Sequence, residues 1–174
     1  MFSHWAYILV GRDRTGKTKF QRHLLYHLCE RRYGRLPINI RNVVTHPRAP
    51  KGLQSIFTAN RSYQEKKWLY KSVENYFKHE RFFKDADVCL LSSHPIEEDV
   101  SAMIGQLRRR CYNVAGVFWS NAYGREVEDI ALLRWDEVLW IENPPLANDD
   151  RIEQQLDRIA NQFSQFVVAR AHIQ

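Results

Sequence analysis

Two periodicities alternate along this chain. Trp5-Ala6-Tyr7-Ile8-Leu9-Val10 is an unbroken apolar run, as a short strand covered on both faces should be. Phe20, Leu24, Leu25 and Leu28 then recur at helical spacing and predict a helix from Lys19 to Arg31. Ile38 to Val44 predicts a second strand, ending at Thr45-His46-Pro47, and Arg48 to Asn60, with Pro50 and Gly52, reads as a loop. Ser62 to Phe83 reads as one long helix with Leu69, Val73, Tyr76 and Phe77 on one side. Asp87 to Ser93 is the next strand, and Ile96 to Arg110 a helix carrying Ile96, Val100, Met103, Ile104 and Leu107. Val114 to Trp119 and Glu137 to Ile141 predict two more strands, separated by a short helix over Val127 to Leu133. The last helix runs from Asp149 to Ala169, with Asp149 or Asp150 as its cap and Ile152, Leu156, Ile159, Phe163, Phe166 and Val167 as its stripe. Strands alternating with helices predict an α/β fold: a doubly wound, mostly parallel five-stranded sheet in a single domain spanning residues 1–174.

Sheets of this kind bind ligands at the C-terminal ends of their strands. At the first such end stands Gly11-Arg12-Asp13-Arg14-Thr15-Gly16-Lys17-Thr18, which fits the pattern G-x-x-x-x-G-K-[ST] between a strand and a helix. Backbone N–H groups of such a loop point inward and wrap a polyphosphate, and the helix dipole adds partial positive charge. Gly11, Arg12, Asp13, Arg14, Thr15, Gly16, Lys17 and Thr18 are therefore the expected nucleotide-binding residues. Lys17 would reach the β- and γ-phosphates, and the Thr18 hydroxyl would ligate Mg²⁺.

Charge agrees with an anionic ligand. Lys and Arg number 26 against 20 Asp and Glu, a formal charge of +6. Arg31-Arg32, the Arg41 to Lys51 stretch and Arg108-Arg109-Arg110 concentrate that excess and keep a nucleic-acid partner in view. The chain has no run of 18 apolar residues and no signal-peptide pattern, which predicts a cytoplasmic protein with no membrane partner. Cys29, Cys89 and Cys111 lie far apart without C-x-x-C spacing, which predicts reduced thiols in or near the core and no metal site.

With its loop in this setting the chain resembles the P-loop NTPase superfamily. The segment Asn60-Arg61-Ser62-Tyr63-Gln64-Glu65, the long helix, Phe83 to Pro95, and Trp135 to Pro144 in order resemble adenylylsulfate kinases loosely, within the small kinase-like group. That resemblance implies a P-loop fold, a role for Arg61 at the acceptor, and Asn143 and Pro144 bordering the adenine. It also implies an Asp at the end of the second strand and a carboxylate at the end of the third. Here those strands end in Thr45-His46-Pro47 and Ser92-Ser93-His94, while Asp85 and Asp87 precede theirs. His46 and His94 are left as candidate bases, each following a strand and able to titrate near neutrality. Trp119, Tyr123, Trp135 and Trp140 lie where many kinases stack the base, though their spacing fits core packing equally well.

The expected activity is Mg²⁺-dependent phosphoryl transfer to a small hydroxyl or phosphorylated compound, or to a nucleotide. ATP is the expected donor over GTP, because Ser120-Asn121-Ala122-Tyr123 is a poor guanine-reading sequence. The alternative is a regulatory or weak NTPase that acts through a protein or nucleic-acid partner.

Overall fold

The structure, a computed structural model, describes residues 4–79 and 86–173. In chain order it contains β1 (Trp5–Val10), α1 (Lys17–Cys29), β2 (Asn39–Val43), β3 (Ser55–Ala59), a 3-10 turn (Tyr63–Lys66), α2 (Lys67–Tyr70), α3 (Val73–His79), β4 (Val88–Ser93), α4 (Glu97–Arg108), β5 (Asn113–Trp119), a second 3-10 turn (Ser120–Ala122), α5 (Arg125–Ala131), β6 (Glu137–Ile141) and α6 (Asp149–Ile173). Among the described residues no helix is long and apolar enough to cross a membrane.

The strands form one six-stranded sheet in the order β2-β3-β4-β1-β5-β6. Five run parallel, and β2 pairs antiparallel with β3 at one edge. Side chains of alternate parity on β1 feed two cores. Trp5, Tyr7 and Leu9 pack with α1 and α6, whereas Ala6, Ile8 and Val10 pack with α3, α4 and α5. Helices on both faces are what an apolar run without alternation requires.

Two expectations are corrected. The sheet has six strands, not five, because Ser55-Ile56-Phe57-Thr58-Ala59 is a buried strand within the segment read as a loop. It is short and buried on both faces, with a hydroxyl residue on each, so it carries no period-2 signal, and Gly52 and Pro50 precede it. The helix expected over Ser62 to Phe83 is instead three short pieces. The chain breaks at Lys71, which adopts the left-handed conformation (φ 62°), and Leu69 is exposed rather than on a buried side. The end of that expected helix, from residue 80 on, lies outside the described residues.

The crossing of the chain through the sheet creates the site. From β1 the chain leaves to α1 on one face, and from the neighbouring β4 it leaves to α4 on the other. Adjacent strands whose connections diverge in this way open a crevice at their C-terminal ends. The loop joining β1 to α1 lies in that crevice.

Candidate functional site

Steric demands shape the loop first. A Cβ on Gly11 would come within 2.9 Å of the Thr15 Oγ1, so the doubled-back loop admits only glycine there. Gly16 has φ 101° and opens α1, and Arg14 holds φ 62°, a left-handed conformation that strains a non-glycine residue. Left-handed residues alternating with others turn successive N–H groups toward one centre. Among the described residues, the backbone N–H groups from Asp13 to Lys19 meet no protein acceptor. The loop is anchored by the Gly11 N–H, which donates to the Ser93 carbonyl at 3.0 Å.

Lys17 is buried, and its ammonium donates to the carbonyls of Gly11 and Arg12, at 2.5 and 2.7 Å. Burial lowers its pKa to about 8, against the opposing charges of Asp13 and Glu65. Thr15 closes the loop internally, its hydroxyl donating to the Arg12 carbonyl at 2.6 Å. The carbonyl of Thr15 accepts from the side-chain amides of Asn143 (3.2 Å) and Asn121 (3.4 Å). Asn143 is itself fixed: its N–H donates to the Ser120 hydroxyl at 2.7 Å, and its Oδ1 accepts from Gln155 at 2.7 Å. A trans peptide points its C=O and N–H in opposite directions, so these amides also turn the Gly16 N–H away from themselves.

Beside the loop lies a cleft of about 600 Å³. Its polar end is made by residues Asp13 to Lys19, Glu65, Ser92 and His94, and its apolar end by Pro144, Pro145, Leu146 and Ile152. The shape suits a ligand with an anionic tail and a flatter, less polar body. The Thr18 hydroxyl faces this cleft without a protein partner among the described residues. Glu65 caps the 3-10 turn, its Oε2 accepting from the N–H and hydroxyl of Ser62, which leaves Oε1 unbonded among the described residues. The Ser92 hydroxyl accepts from Gln21 at 2.8 Å, and that of Ser93 accepts from Gln64 at 3.1 Å. His94 lines the cleft with its Nε2 3.3 Å from Asp13 Oδ1, spanning the mouth between β1 and β4.

Among the expected site residues, Gly11, Asp13, Arg14, Thr15, Gly16, Lys17, Thr18, His94 and Asn143 are brought together. Arg12 contributes its carbonyl, but its guanidinium turns outward to Glu126 on α5, at 2.5 Å. Arg61 lines an adjoining pocket instead of the cleft. His46 is excluded. Because β2 runs antiparallel to β3, with Val43 opposite Ser55, its C-terminal end lies at the N-terminal end of the parallel strands, away from the cleft. There the His46 N–H bonds the Leu28 carbonyl at the end of α1, and burial lowers its pKa, helped by Arg48 and His27. Arg48 belongs to the same far end, where its carbonyl contacts His172. Trp119 is sealed in the core against Phe20, and Tyr123, Trp135 and Trp140 pack on or near Phe118 outside the cleft. The sequence reading missed Glu65 and Asn121. For Glu65 the signal is the strand β3: once Ser55–Ala59 is paired, Asn60 to Glu65 follows a parallel strand and lines the cleft, whereas Asn121 lies in the turn directly after β5.

No family model matches the chain, and no curated protein matches it. Among solved structures it is similar to the solution NMR structure of a de novo designed protein, at 12% identity and a TM-score of 0.41, over 93% of this chain and 92% of that one.

Proposed function

We propose that this chain is a P-loop protein that binds a nucleoside triphosphate, ATP in preference to GTP, and passes its γ-phosphoryl group to a small hydroxyl compound or nucleotide. One observation carries the reading: a glycine-hinged loop at the switch point, with unbonded N–H groups from Asp13 to Lys19 beside the buried cation Lys17. Phosphoryl transfer asks a protein for positioning and charge neutralisation more than for covalent chemistry. The loop N–H groups and the first turn of α1 would hold the phosphate chain. Lys17 would exchange its carbonyl partners for phosphate oxygens, and the nucleoside would lie toward Pro144, Pro145 and Leu146. His94 or Glu65, both lining the cleft, would take the proton of the attacking hydroxyl.

Mg²⁺ fits the residues present. Among the described residues no cluster of three or more His, Cys, Asp or Glu side chains could hold a metal. Mg²⁺ nevertheless binds mostly through phosphates and water with one or two protein oxygens. The Thr18 hydroxyl would be its direct ligand and the free Oε1 of Glu65 an acceptor for its water. When bound, the ion neutralises charge developing on the transferring phosphate.

The Ser92-Ser93 end of β4 favours a second reading, a regulatory or weak NTPase working through a protein or nucleic-acid partner, since hydroxyls cannot replace a carboxylate at Mg²⁺. Calorimetric titration of ATP, GTP and ADP with and without Mg²⁺ tests both. Mg²⁺-dependent ATP binding that Lys17→Ala weakens about a hundredfold or more is expected, a loss of roughly 3 kcal/mol. An intact, folded protein that binds no nucleotide would sink the proposal. Tight binding without turnover, whatever the acceptor, would move the regulatory reading to the front.

A further inference from the structure

A second pocket of about 330 Å³ adjoins the cleft, sharing Thr18, Lys19, Asn60 and Glu65 with it. We propose that this pocket is a subsite for a phosphate monoester dianion, carried by the compound that accepts the phosphoryl group. The proposal rests on the nucleotide-binding reading only for the word acceptor. The subsite itself stands on the pocket's construction and charge.

The walls are tied in place. Asn60 donates its N–H to the Ile38 carbonyl and its side-chain amide to the Leu36 carbonyl, both at 3.0 Å, and Arg22 reaches the Gly34 carbonyl at 3.3 Å. These bonds hold residues 34–38 against the end of β3 and the second turn of α1. Four cations line the space: Lys19, Arg22, Arg35 and Arg61. Lys19 and Arg22 share Glu153, at 2.9 and 3.1 Å, and Glu65 is the carboxylate in the lining. Arg35 and Arg61 are exposed and have no carboxylate partner among the described residues. Four cations against two carboxylates leave two positive charges facing one small pocket.

A phosphate monoester carries about −1.5 to −2 charges at neutral pH and three acceptor oxygens, which two guanidinium forks can bind bidentately. A carboxylate or a phosphodiester carries one negative charge and leaves the pocket half neutralised. Anchored here, an acceptor would present a hydroxyl at the seam marked by Thr18 and Glu65. Its oxygen forms a bond to the γ-phosphorus, and the bond from that phosphorus to the β,γ-bridging oxygen breaks. The electron pair departs on the nucleoside diphosphate, and the hydroxyl proton passes to Glu65. The monoester could belong to a small metabolite or to the 5′ end of a nucleic-acid strand, since the chemistry recognised is the same.

The test begins by saturating the protein with Mg²⁺ and the non-hydrolysable β,γ-imido analogue of ATP. AMP and glycerol 3-phosphate are then titrated against adenosine and glycerol, and a 5′-phosphorylated oligonucleotide against its 5′-hydroxyl form. Expected is binding on top of the analogue that depends on the terminal phosphate, at least about tenfold tighter than without it. Arg35→Ala and Arg61→Ala should each weaken that binding about tenfold while leaving the affinity for the analogue unchanged. The small-molecule and oligonucleotide arms separate the two sources. No phosphate-dependent second binding, or arginine variants that weaken the analogue instead, would overturn the subsite. If the wild type fails to take the analogue, the nucleotide reading falls. The same titrations without analogue then decide the subsite alone, by whether phosphate binding depends on Arg35 and Arg61.

Discussion

The two ends of the parallel sheet treat their polar groups in opposite ways. At the N-terminal end they are paired. Asp87 accepts from the N–H groups of Gln54 and Ser55, both at 2.8 Å, and from the Ser55 hydroxyl at 3.1 Å, while its own N–H donates back to that hydroxyl. Asp136 accepts from the Val114 N–H at 2.7 Å and from Arg108 at 2.9 Å. Arg170 pairs with Glu137 and lies over the ring of Trp5, 3.9 Å from its centroid. At the C-terminal end the N–H groups from Asp13 to Lys19, the Thr18 hydroxyl, Glu65 Oε1 and two guanidiniums find no such partners among the described residues. Burying a polar group unpaired is costly. One end of the sheet thus pairs its polar groups within the protein, and the other leaves them open to the cleft and its adjoining pocket.

The largest effect expected on the paired end is from Asp87→Ala. Three donors lose their acceptor, and a loss of about 3 kcal/mol in denaturant unfolding should follow. Affinity for ATP should stay within about twofold; a parallel drop in affinity would show that the two ends are not independent.

At the open end, Asn143→Ala removes the shorter of the two amide bonds to the Thr15 carbonyl and should weaken ATP about tenfold, or roughly 1.4 kcal/mol. Adenosine, which has no phosphate to feel the loop, should bind as before. Equal losses for both ligands would place the Asn143 amide on the base instead.

Lys17 gives the comparison a pH signature. Its pKa stands at about 8 in the folded chain against 10.5 normally, so the unfolded chain binds more protons between those values. The contribution of Lys17 to stability therefore rises with pH across that window, and the rise should vanish in Lys17→Met. A bound triphosphate restores the charged ammonium, so binding at about pH 9 should take up most of one proton, read from calorimetry in buffers of different ionisation enthalpy.

Smallest is Arg14→Gly. Relief of about 1–2 kcal/mol of left-handed strain is partly offset by about 0.5–1 kcal/mol of extra freedom in the unfolded glycine. Net stabilisation of about 0.5 kcal/mol is expected by thermal unfolding, with ATP binding nearly unchanged because the loop keeps its shape. A destabilised variant would mean that Arg14 contributes contacts that outweigh its strain.

Legibility in the sequence followed the same division. β1, β4, β5, β6, α4 and α6 were readable because an apolar run marks each strand and a helical period each helix over the full element, and Glu137–Ile141 falls at the residues expected. The start of α6 shows how fine that reading can be and where it stops. Asn148, rather than Asp149 or Asp150, caps the helix, its Oδ1 accepting from the Asp150 N–H at 2.8 Å. Asp87 precedes its strand, the wrong end to serve a metal, and it is committed to Gln54 and Ser55 at the start of β3 there. His46, by contrast, was misassigned because strand direction is not written in a strand's own residues. A strand presents the same alternation in either direction, and only pairing with β3 turned the end of β2 away from the cleft.

By itself, the sequence determined the layering of helices over a buried sheet and the glycine loop at the end of β1, because local periodicity, the close approach at Gly11 and the positive φ of Gly16 act over a few residues. Only the tertiary structure decided which strand ends share an edge. Asn121, Asn143 and Glu65 come from three separate connections, and of them the resemblance points to Asn143 alone, at the adenine rather than at the loop. They meet the loop because β1, β3, β5 and β6 are brought into parallel register by hydrogen bonds between residues far apart in the chain. The same register sends His46 to the far end of the sheet and, among the described residues, leaves Arg35 and Arg61 without a carboxylate partner beside Thr18.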